Sequence, residues 1–281
     1  MTGLNFHTHS HFSDGSDAPE EYIKAAIRQG MHAIGFSDHA PLPFSTPFAL
    51  PLEKLDDYVR QIRSLQKKYA GQIDIYLSLE MDYVPEISYH FEKLAAGLAL
   101  DYIIGSVHLV GSKHPDNLWF TDGPDHSVYD AGLARFFSHD IRKAVKAFYD
   151  QTNEMIQTQK FEVIGHFDKI KMHNQGRYFT ESESWYQQLV METLSLIREK
   201  NLIVEVNTRG IYKKRSESLF PSDWILKHMF SLDIPVIISS DAHRPDELQA
   251  AYSIAINALR HAGYRRIQRF NGQFWADVPL P

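Results

Sequence analysis

Seven times along this chain a short apolar run gives way to a longer amphipathic segment, and that alternation constrains the fold more than any single motif does. The short runs are LNFHTH (4–9), AIGFSD (33–38), IYLSLEM (75–81), YIIGSVH (102–108), VIGHFD (163–168), LIVEVN (202–207) and PVIISSD (235–241). Helical spacing is read between and after them, near 19–31, 53–70, 86–99, 128–158, 183–200, 221–231 and 245–262. In the fourth of these Leu133, Phe137, Ile141, Val145 and Phe148 recur every three or four residues, which predicts one long helix with a buried face. Gly71 and Gly263 read as helix stops. Repeated strand–helix units predict a parallel sheet with crossover helices, either closed as a barrel or open and doubly wound. An eighth, weaker strand is read at RRIQRF (265–270). At 281 residues the chain suits one α/β barrel of about 250 residues with modest additions. No Gly/Ser/Pro-rich linker divides it, so a single domain is expected.

Composition narrows the functional classes. No apolar run approaches the roughly 20 residues that cross a bilayer, and the N-terminus lacks the basic and apolar regions of a signal peptide. A cytoplasmic protein with no membrane partner is expected. The formal charge of −6 and the lack of any Lys/Arg-rich block beyond KKR (213–215) argue against a nucleic-acid partner. With 15 histidines and no cysteine, a metal site here must be built from imidazole and carboxylate, a donor set that suits Zn, Fe or Mn. The sequence carries no signal for the oligomeric state.

Ligand-type residues fall at one end of the units. His7 and His9 end the first strand, Asp38 and His39 the second, Glu80 the third, His108 the fourth, His166 the fifth, and Asp241 and His243 follow the seventh. The sixth ends in Asn207 and Arg209. The C-terminal ends of strands are where barrels and open α/β sheets alike build active sites, so these residues are expected to converge. A single histidine at a strand end is more often a hydrogen-bonded packing residue. Six of seven strands ending in His, Asp or Glu are harder to explain that way, because buried ionisable groups are costly unless paired or bound to metal. Strand periodicity puts His7 and His9 on one face, where they can grip one ion. Glu80 is suited to bridge to a second ion with His108 and His166, Asp241 to complete the first, and Asp14, His39 and His243 remain for a third. Asp38 and Asp168 neighbour these positions and are candidates to accept the second N–H of bound imidazoles. His11 is left as a possible substrate contact. His90, His139, His228 and His261, on predicted helices, read as surface or packing residues.

The ordered series HTHSHFSDG (7–15), SDH (37–39), Glu80, SVH (106–108), GHFD (165–168) and SDAH (240–243) resembles the motifs of the polymerase and histidinol phosphatase (PHP) family. The stretches SDHAPLPF (37–44) and NTRG (207–210) resemble the histidinol-phosphate phosphatase branch in particular. That resemblance implies a distorted (β/α)7 TIM-like barrel and a trinuclear divalent metal centre. The first ion would take His7, His9, Glu80 and Asp241, the second Glu80, His108 and His166, and the third Asp14, His39 and His243. It also implies hydrolysis of a phosphate monoester, L-histidinol phosphate, within histidine biosynthesis. Metals would supply the nucleophile and neutralise charge, with Glu80, Asp241 and His243 in catalytic positions and Arg209 holding phosphoryl oxygens. His243, where not fully engaged, or a water would protonate the leaving group. Arg177 is a second phosphate candidate, and Phe44 and Phe48 in the loop 41–51 could cover a substrate ring. Two alternatives stay open: a phosphoesterase for nucleotides, oligonucleotides or many esters, and a non-catalytic metal-binding module. The second should show eroded ligand positions, and none is eroded here.

Overall fold

The computed structural model describes residues 3–123 and 125–281. Seven strands, β1 (Leu4–Asn5), β2 (Ala33–Phe36), β3 (Asp74–Asp82), β4 (Tyr102–Ser106), β5 (Val163–Ile164), β6 (Ile203–Asn207) and β7 (Val236–Ser239), pair in chain order and all in parallel. β1 and β7 meet beyond their ends through a single bridge, Thr8 to Ala242. There the His9 N–H donates to Ala242 O at 2.8 Å and the Ala242 N–H to His7 O at 3.2 Å. The result is a distorted barrel with a thin seam, as the alternating pattern and the resemblance anticipated. Strand residues are buried throughout except Asp74, because helices cover the outer face and side chains fill the inner one.

The helices follow their apolar spacing. Pro19–Arg28 carries proline in its first turn with Glu20 and Glu21, ends on Arg28, and buries Tyr22, Ile23, Ala25 and Ala26, so proline position, dipole and stripe agree. Leu55–Lys68 buries Leu55, Tyr58, Ile62 and Leu65. Three expectations need correction. The long fourth helix is two, His126–Phe137 and Ile141–Thr158, broken where Ser138 and His139 adopt φ of 51° and 65° and Asp140 caps the second through the Lys143 N–H at 3.1 Å. The apolar spacing runs on across this break, so periodicity could not reveal it. The helix read over 86–99 shrinks to Phe91–Ala95, since Glu86 and Ala99 take positive φ and His90 is extended. The last helix, read over 245–262, is a 3-10 turn at Pro245–Glu247 followed by Tyr252–Ala262. Gly263, at φ 117°, stops it as expected.

The eighth strand exists but lies outside the barrel sheet. Arg266–Phe270 pairs antiparallel with Trp275–Pro279. The hairpin sets Trp275 against Phe6 (5.1 Å) and Tyr102 (5.3 Å) and Phe270 against Tyr76 (5.1 Å), whose hydroxyl donates to Phe270 O at 3.0 Å. It thereby packs against the N-terminal ends of β3 and β4, away from the ligand-bearing ends. Among the described residues no helix is long and apolar enough to cross a membrane.

Tyr102 crosses the barrel interior, its hydroxyl donating to Phe6 O at 2.5 Å, and the space it needs exists because residue 35 is glycine. A Cβ there would stand 1.9 Å from that hydroxyl oxygen. Gly35→Ala should therefore destabilise the fold by about 1–3 kcal/mol or more in denaturant unfolding. Tyr102→Phe leaves a buried carbonyl bare and should cost roughly 1–3 kcal/mol alone. Together the two should cost less than their sum, because the second removes the obstacle that the first meets.

Candidate metal centre

Past the C-terminal ends of the strands the expected side chains do converge, and Glu80 lies among them, 1% exposed. Its two oxygens divide the cluster. Oε2 faces His7 Nε2 at 3.1 Å, His39 Nδ1 at 3.2 Å and His9 Nε2 at 3.5 Å. Oε1 faces His166 Nε2 at 3.1 Å and His108 Nε2 at 3.7 Å. The His7 and His9 rings stand 4.9 Å apart on the same face, as strand parity requires, although regular pairing in β1 has already ended at Asn5. Asp241 Oδ1 closes this side at 3.2 Å from His9 Nε2, with Asp241 itself at φ 50°, a strained setting for a non-glycine residue. Asp14 reaches His243 Nε2 through Oδ2 at 3.2 Å and His39 Nε2 through Oδ1 at 3.9 Å.

Ligand-capable atoms thus meet in three groups, each drawn to within 4.8 Å: His7, His9 and Asp241; His39, Glu80 and His108; and His9, Asp14, His39 and His243. His39 and His9 are shared between neighbouring groups, which the sequence sets did not anticipate. His166 stands in none of the three, yet its Nε2 is 3.3 Å from His108 Nε2.

The carboxylates that orient the imidazoles are not the ones the sequence suggested. Glu205, in the middle of β6, takes His7 Nδ1 at 2.5 Å and accepts the His166 N–H at 2.9 Å, while Ser239 and Asn207 donate to it. Asp82, two residues beyond Glu80 on the same face of β3, holds His108 Nδ1 at 3.0 Å. Glu205 had a legible signal, a lone acid inside the apolar run LIVEVN. Asp82 escaped because β3 runs to Asp82 rather than to 81. Asp38 and Asp168 do not orient imidazoles. Asp38 instead gathers the N–H groups of Ser10 (2.8 Å) and Ser13 (3.1 Å) and the Ser13 hydroxyl (2.6 Å), folding the turn that presents Asp14. That turn also needs Gly15, whose Cβ would lie 2.1 Å from His9 O. Asp168 pairs with Lys171 at 2.6 Å and accepts the Ser222 N–H, and burial pushes its carboxyl up to about 6.

The donor set fits divalent cations. His7 Nε2, both ring nitrogens of His9 and His39 Nδ1 are buried without a hydrogen-bond partner, though carboxylate oxygens stand close by. Bare buried donors or acceptors of this kind are costly unless something outside the chain satisfies them. Burial lowers the pKa of His9, His39 and His166, favouring the neutral, ligating form. Burial opposes charge on Glu80 and Asp241 as well, yet the surrounding imidazoles, and for Asp241 also Arg209 and Lys169, hold both carboxyls well below their ordinary range. For His7 burial is outweighed by Glu205, Glu80 and Asp241, which raise it. In His108 it is outweighed by Asp82 and Glu80, which lift it to about 9. The cluster carries more negative charge than its protein cations offset, which is the electrostatic setting of a metal site.

A cavity of about 330 Å³ opens onto the cluster, walled by Asp14, His39, Phe48, Glu80, His108, Phe120, Asp122, Lys169, Arg209, Arg215, Asp241 and His243 among others. Arg209 stands where expected, its Nη1 2.7 Å from both Asp241 O and His243 Nδ1. Phe48 lines the cavity, while Phe44 packs behind it. Arg177 is not brought to the cavity. Its guanidinium is held in a paired contact with Asp130 at 2.8 and 2.9 Å. Nor is His11, which is exposed and lies against Phe12. Sequence reasoning missed Lys169 and Asp122, linked at 2.6 Å. A larger open depression of about 880 Å³ lies around Lys171, Asn174 and Lys214, but its buried cation, Lys171, is already taken by Asp168 and Ser222.

Glu205→Gln should lower zinc affinity by roughly 10–100-fold, since it weakens the carboxylate that fixes the His7 ring. Competition against a chromogenic chelator measures this. Chelation of the wild type should lower its unfolding free energy and added zinc restore it, by about 4 kcal/mol at a thousandfold excess over Kd, read in denaturant unfolding.

Comparison with known proteins agrees with this geometry. The family model described as PHP domain matches residues 5–209. The chain is 28% identical to a "Probable histidinol-phosphatase" of Deinococcus radiodurans over 95% of this chain and 96% of that one. It is 26% identical to the histidinol-phosphatase of Bacillus subtilis over 88% and 95%. A crystal structure of histidinol phosphate phosphatase from Lactococcus lactis, complexed with zinc, L-histidinol and phosphate, superposes with a TM-score of 0.73 at 21% identity, covering 98% of this chain and 99% of that one.

Proposed function

The chain belongs to the PHP domain family, and from that membership we propose that it is a metal-dependent histidinol-phosphate phosphatase, converting L-histidinol phosphate and water to L-histidinol and phosphate in the cytoplasm. The observation that carries the reading is the division of Glu80, one oxygen toward His7, His9 and His39 and the other toward His108 and His166, beneath a cavity that also holds Arg209 and Lys169. The similarity to histidinol-phosphatases over nearly the whole chain supports the substrate. It also supports treating residues 1–281 as one domain.

Three divalent ions, Zn, Mn or Fe, are assigned to the cluster. His7, His9, Glu80 and Asp241 would hold the first, Glu80, His108 and His166 the second, and Asp14, His39 and His243 the third. Such ions supply a nucleophile from water near neutral pH and neutralise phosphoryl charge. The chain's own residues do the rest. Glu80 would offset the repulsion between cations held on its two sides, and Asp241 closes one side of the cluster beside His9. Glu205 and Asp82 hold the His7 and His108 rings in their ligating orientation. Arg209 is braced by Asp241 O, so its guanidinium arrives oriented to donate to phosphoryl oxygens, a role that lysine's geometry does not reproduce. His243 Nδ1 lies 3.0 Å from Asp241 O, to which its N–H can donate; that leaves Nε2, 3.2 Å from Asp14, as a ligand atom, the role given to it here in place of proton donor to the leaving group. A polynucleotide substrate is disfavoured because the cavity is small and closed in by Phe48 and Phe120.

Phosphate release from L-histidinol phosphate, measured beside p-nitrophenyl phosphate and an oligonucleotide, tests the proposal. The first should have much the highest kcat/KM despite its poorer leaving group, because contacts to the rest of the substrate lower the transition state. Equal efficiency would point to a broad-range esterase. Glu80→Gln should all but abolish turnover with reduced metal content. Arg209→Ala should keep its metal and raise KM, with a loss in kcat/KM of about tenfold or more. A Glu80→Gln protein with normal metal and near-normal kcat would show the centre of the site to be elsewhere.

A further inference from the structure

The segment that follows Trp119 brings two features to the cavity that the ligand sets leave unused. Phe120 stacks on Phe48 with ring centroids 5.5 Å apart and planes 19° apart, and Phe48 in turn lies 4.9 Å from the His39 ring and 6.1 Å from that of His108. Two residues on, Asp122 lines the same cavity. Its Oδ2 takes Lys169 Nζ at 2.6 Å and lies 3.9 Å from His108 Nε2, while its Oδ1 is buried with no hydrogen-bond partner.

Lys169 does not satisfy Asp122 alone, because its ammonium meets only Oδ2 and on its other side faces Asp241 Oδ2 at 3.7 Å, which leaves Oδ1 without a donor. An ionised carboxylate accepts about four hydrogen bonds, and a buried oxygen left bare costs roughly 1–3 kcal/mol. Such a group in a native cavity calls for a donor from outside the chain. A metal ion is the weaker candidate for that donor, since Oδ2, the Asp122 oxygen nearest His108, is already held by the Lys169 ammonium at 2.6 Å. A cationic group of the substrate is the stronger one. Proximity to His108 puts the carboxylate beside the place where the phosphoryl group must lie. A substrate amine three bonds from the ester oxygen, on the second carbon, would reach it, whereas one at the end of a long chain would not. The apolar Phe48–Phe120 wall next to it would exclude water from the contact and so strengthen it.

We propose that Asp122 is a specificity determinant that receives a substrate ammonium next to the phosphoryl group, so that the enzyme selects phosphate monoesters of β-amino alcohols. The inference rests on the phosphatase reading, and it concerns the amine rather than the identity of the remaining side chain. Two substrate pairs that differ only in the amine test it: aminoethyl against ethyl phosphate, and L-histidinol phosphate against imidazolylpropyl phosphate. Each is assayed with metal-loaded wild type and with Asp122→Asn, an isosteric change, with Asp122→Ser as a second variant. In the wild type the amine should raise kcat/KM. In both variants the amine-to-deamino ratio of kcat/KM should fall by about tenfold or more, as when a buried charge pair loses one partner. Taking the ratio cancels any effect common to both members of a pair, including the release of Lys169. Bound metal, measured on the same samples, should match the wild type. An unchanged ratio, loss of metal with the substitution, or no amine advantage in the wild type would each overturn the proposal. If aminoethyl phosphate shows the Asp122-dependent advantage while L-histidinol phosphate is not the preferred ester, the amine inference stands and the histidinol assignment fails.

Discussion

The structure depends on a buried carboxylate that cannot stand alone. Glu80 is enclosed at the end of β3, and an ionised group there is tolerable only because imidazoles from β1, β2, β4 and β5 or the segments just beyond them approach both of its oxygens. Those imidazoles are fixed in turn by Glu205 and Asp82, further acids placed where apolar residues would otherwise fill the barrel. Each layer therefore creates the electrostatic need that the next one meets, and the outermost need, an excess of negative charge around bare imidazole nitrogens, is met by cations. Stability and catalysis share one set of contacts here.

Much of this was legible in the sequence. The seven alternations gave a parallel sheet, the resemblance closed it into a barrel, and the residues at the strand ends gave the side chains that converge, because strand periodicity and the direction of parallel strands are rigid rules. What escaped depends on backbone conformation rather than on apolar spacing. The Ser138–His139 break, the shortened helix at Phe91–Ala95 and the hairpin around Asn271 all turn on a few φ angles or on pairing partners outside the barrel. Within the site, histidines were easier to find than the acids that orient them. A histidine cluster has few structural explanations, whereas Asp38, Asp82, Asp168 and Glu205 look alike in sequence until packing decides which meets a ring and which meets a turn. Arg177 shows the same limit from the other side, since its bidentate partner Asp130 lies far from it in the chain.

The cavity has an uneven chemical character. Arg209 and His243 adjoin Asp241, while Phe48, Phe120 and Asp122 gather near His108, and Lys169 touches both sides through Asp241 and Asp122. An elongated ligand with an anionic end and an amine-bearing, ring-bearing end meets a matching gradient. A symmetric anion does not, which gives the site a direction as well as a charge.

The seam of the barrel has a bearing on how the protein is made. Thr8 meets Ala242, and Asn5 donates to Ser240 across a separation of 235 residues, so the contacts that close the barrel join its first strand to its last. Pairing of such high contact order forms slowly, after loop entropy has been overcome. Because His7, His9 and Asp241 flank this seam, a nascent chain still lacking β7 has neither a closed barrel nor its full ligand cluster. His7 and His9 meet Asp241 only once β7 is in place, so completing this ligand group and closing the barrel are one and the same step.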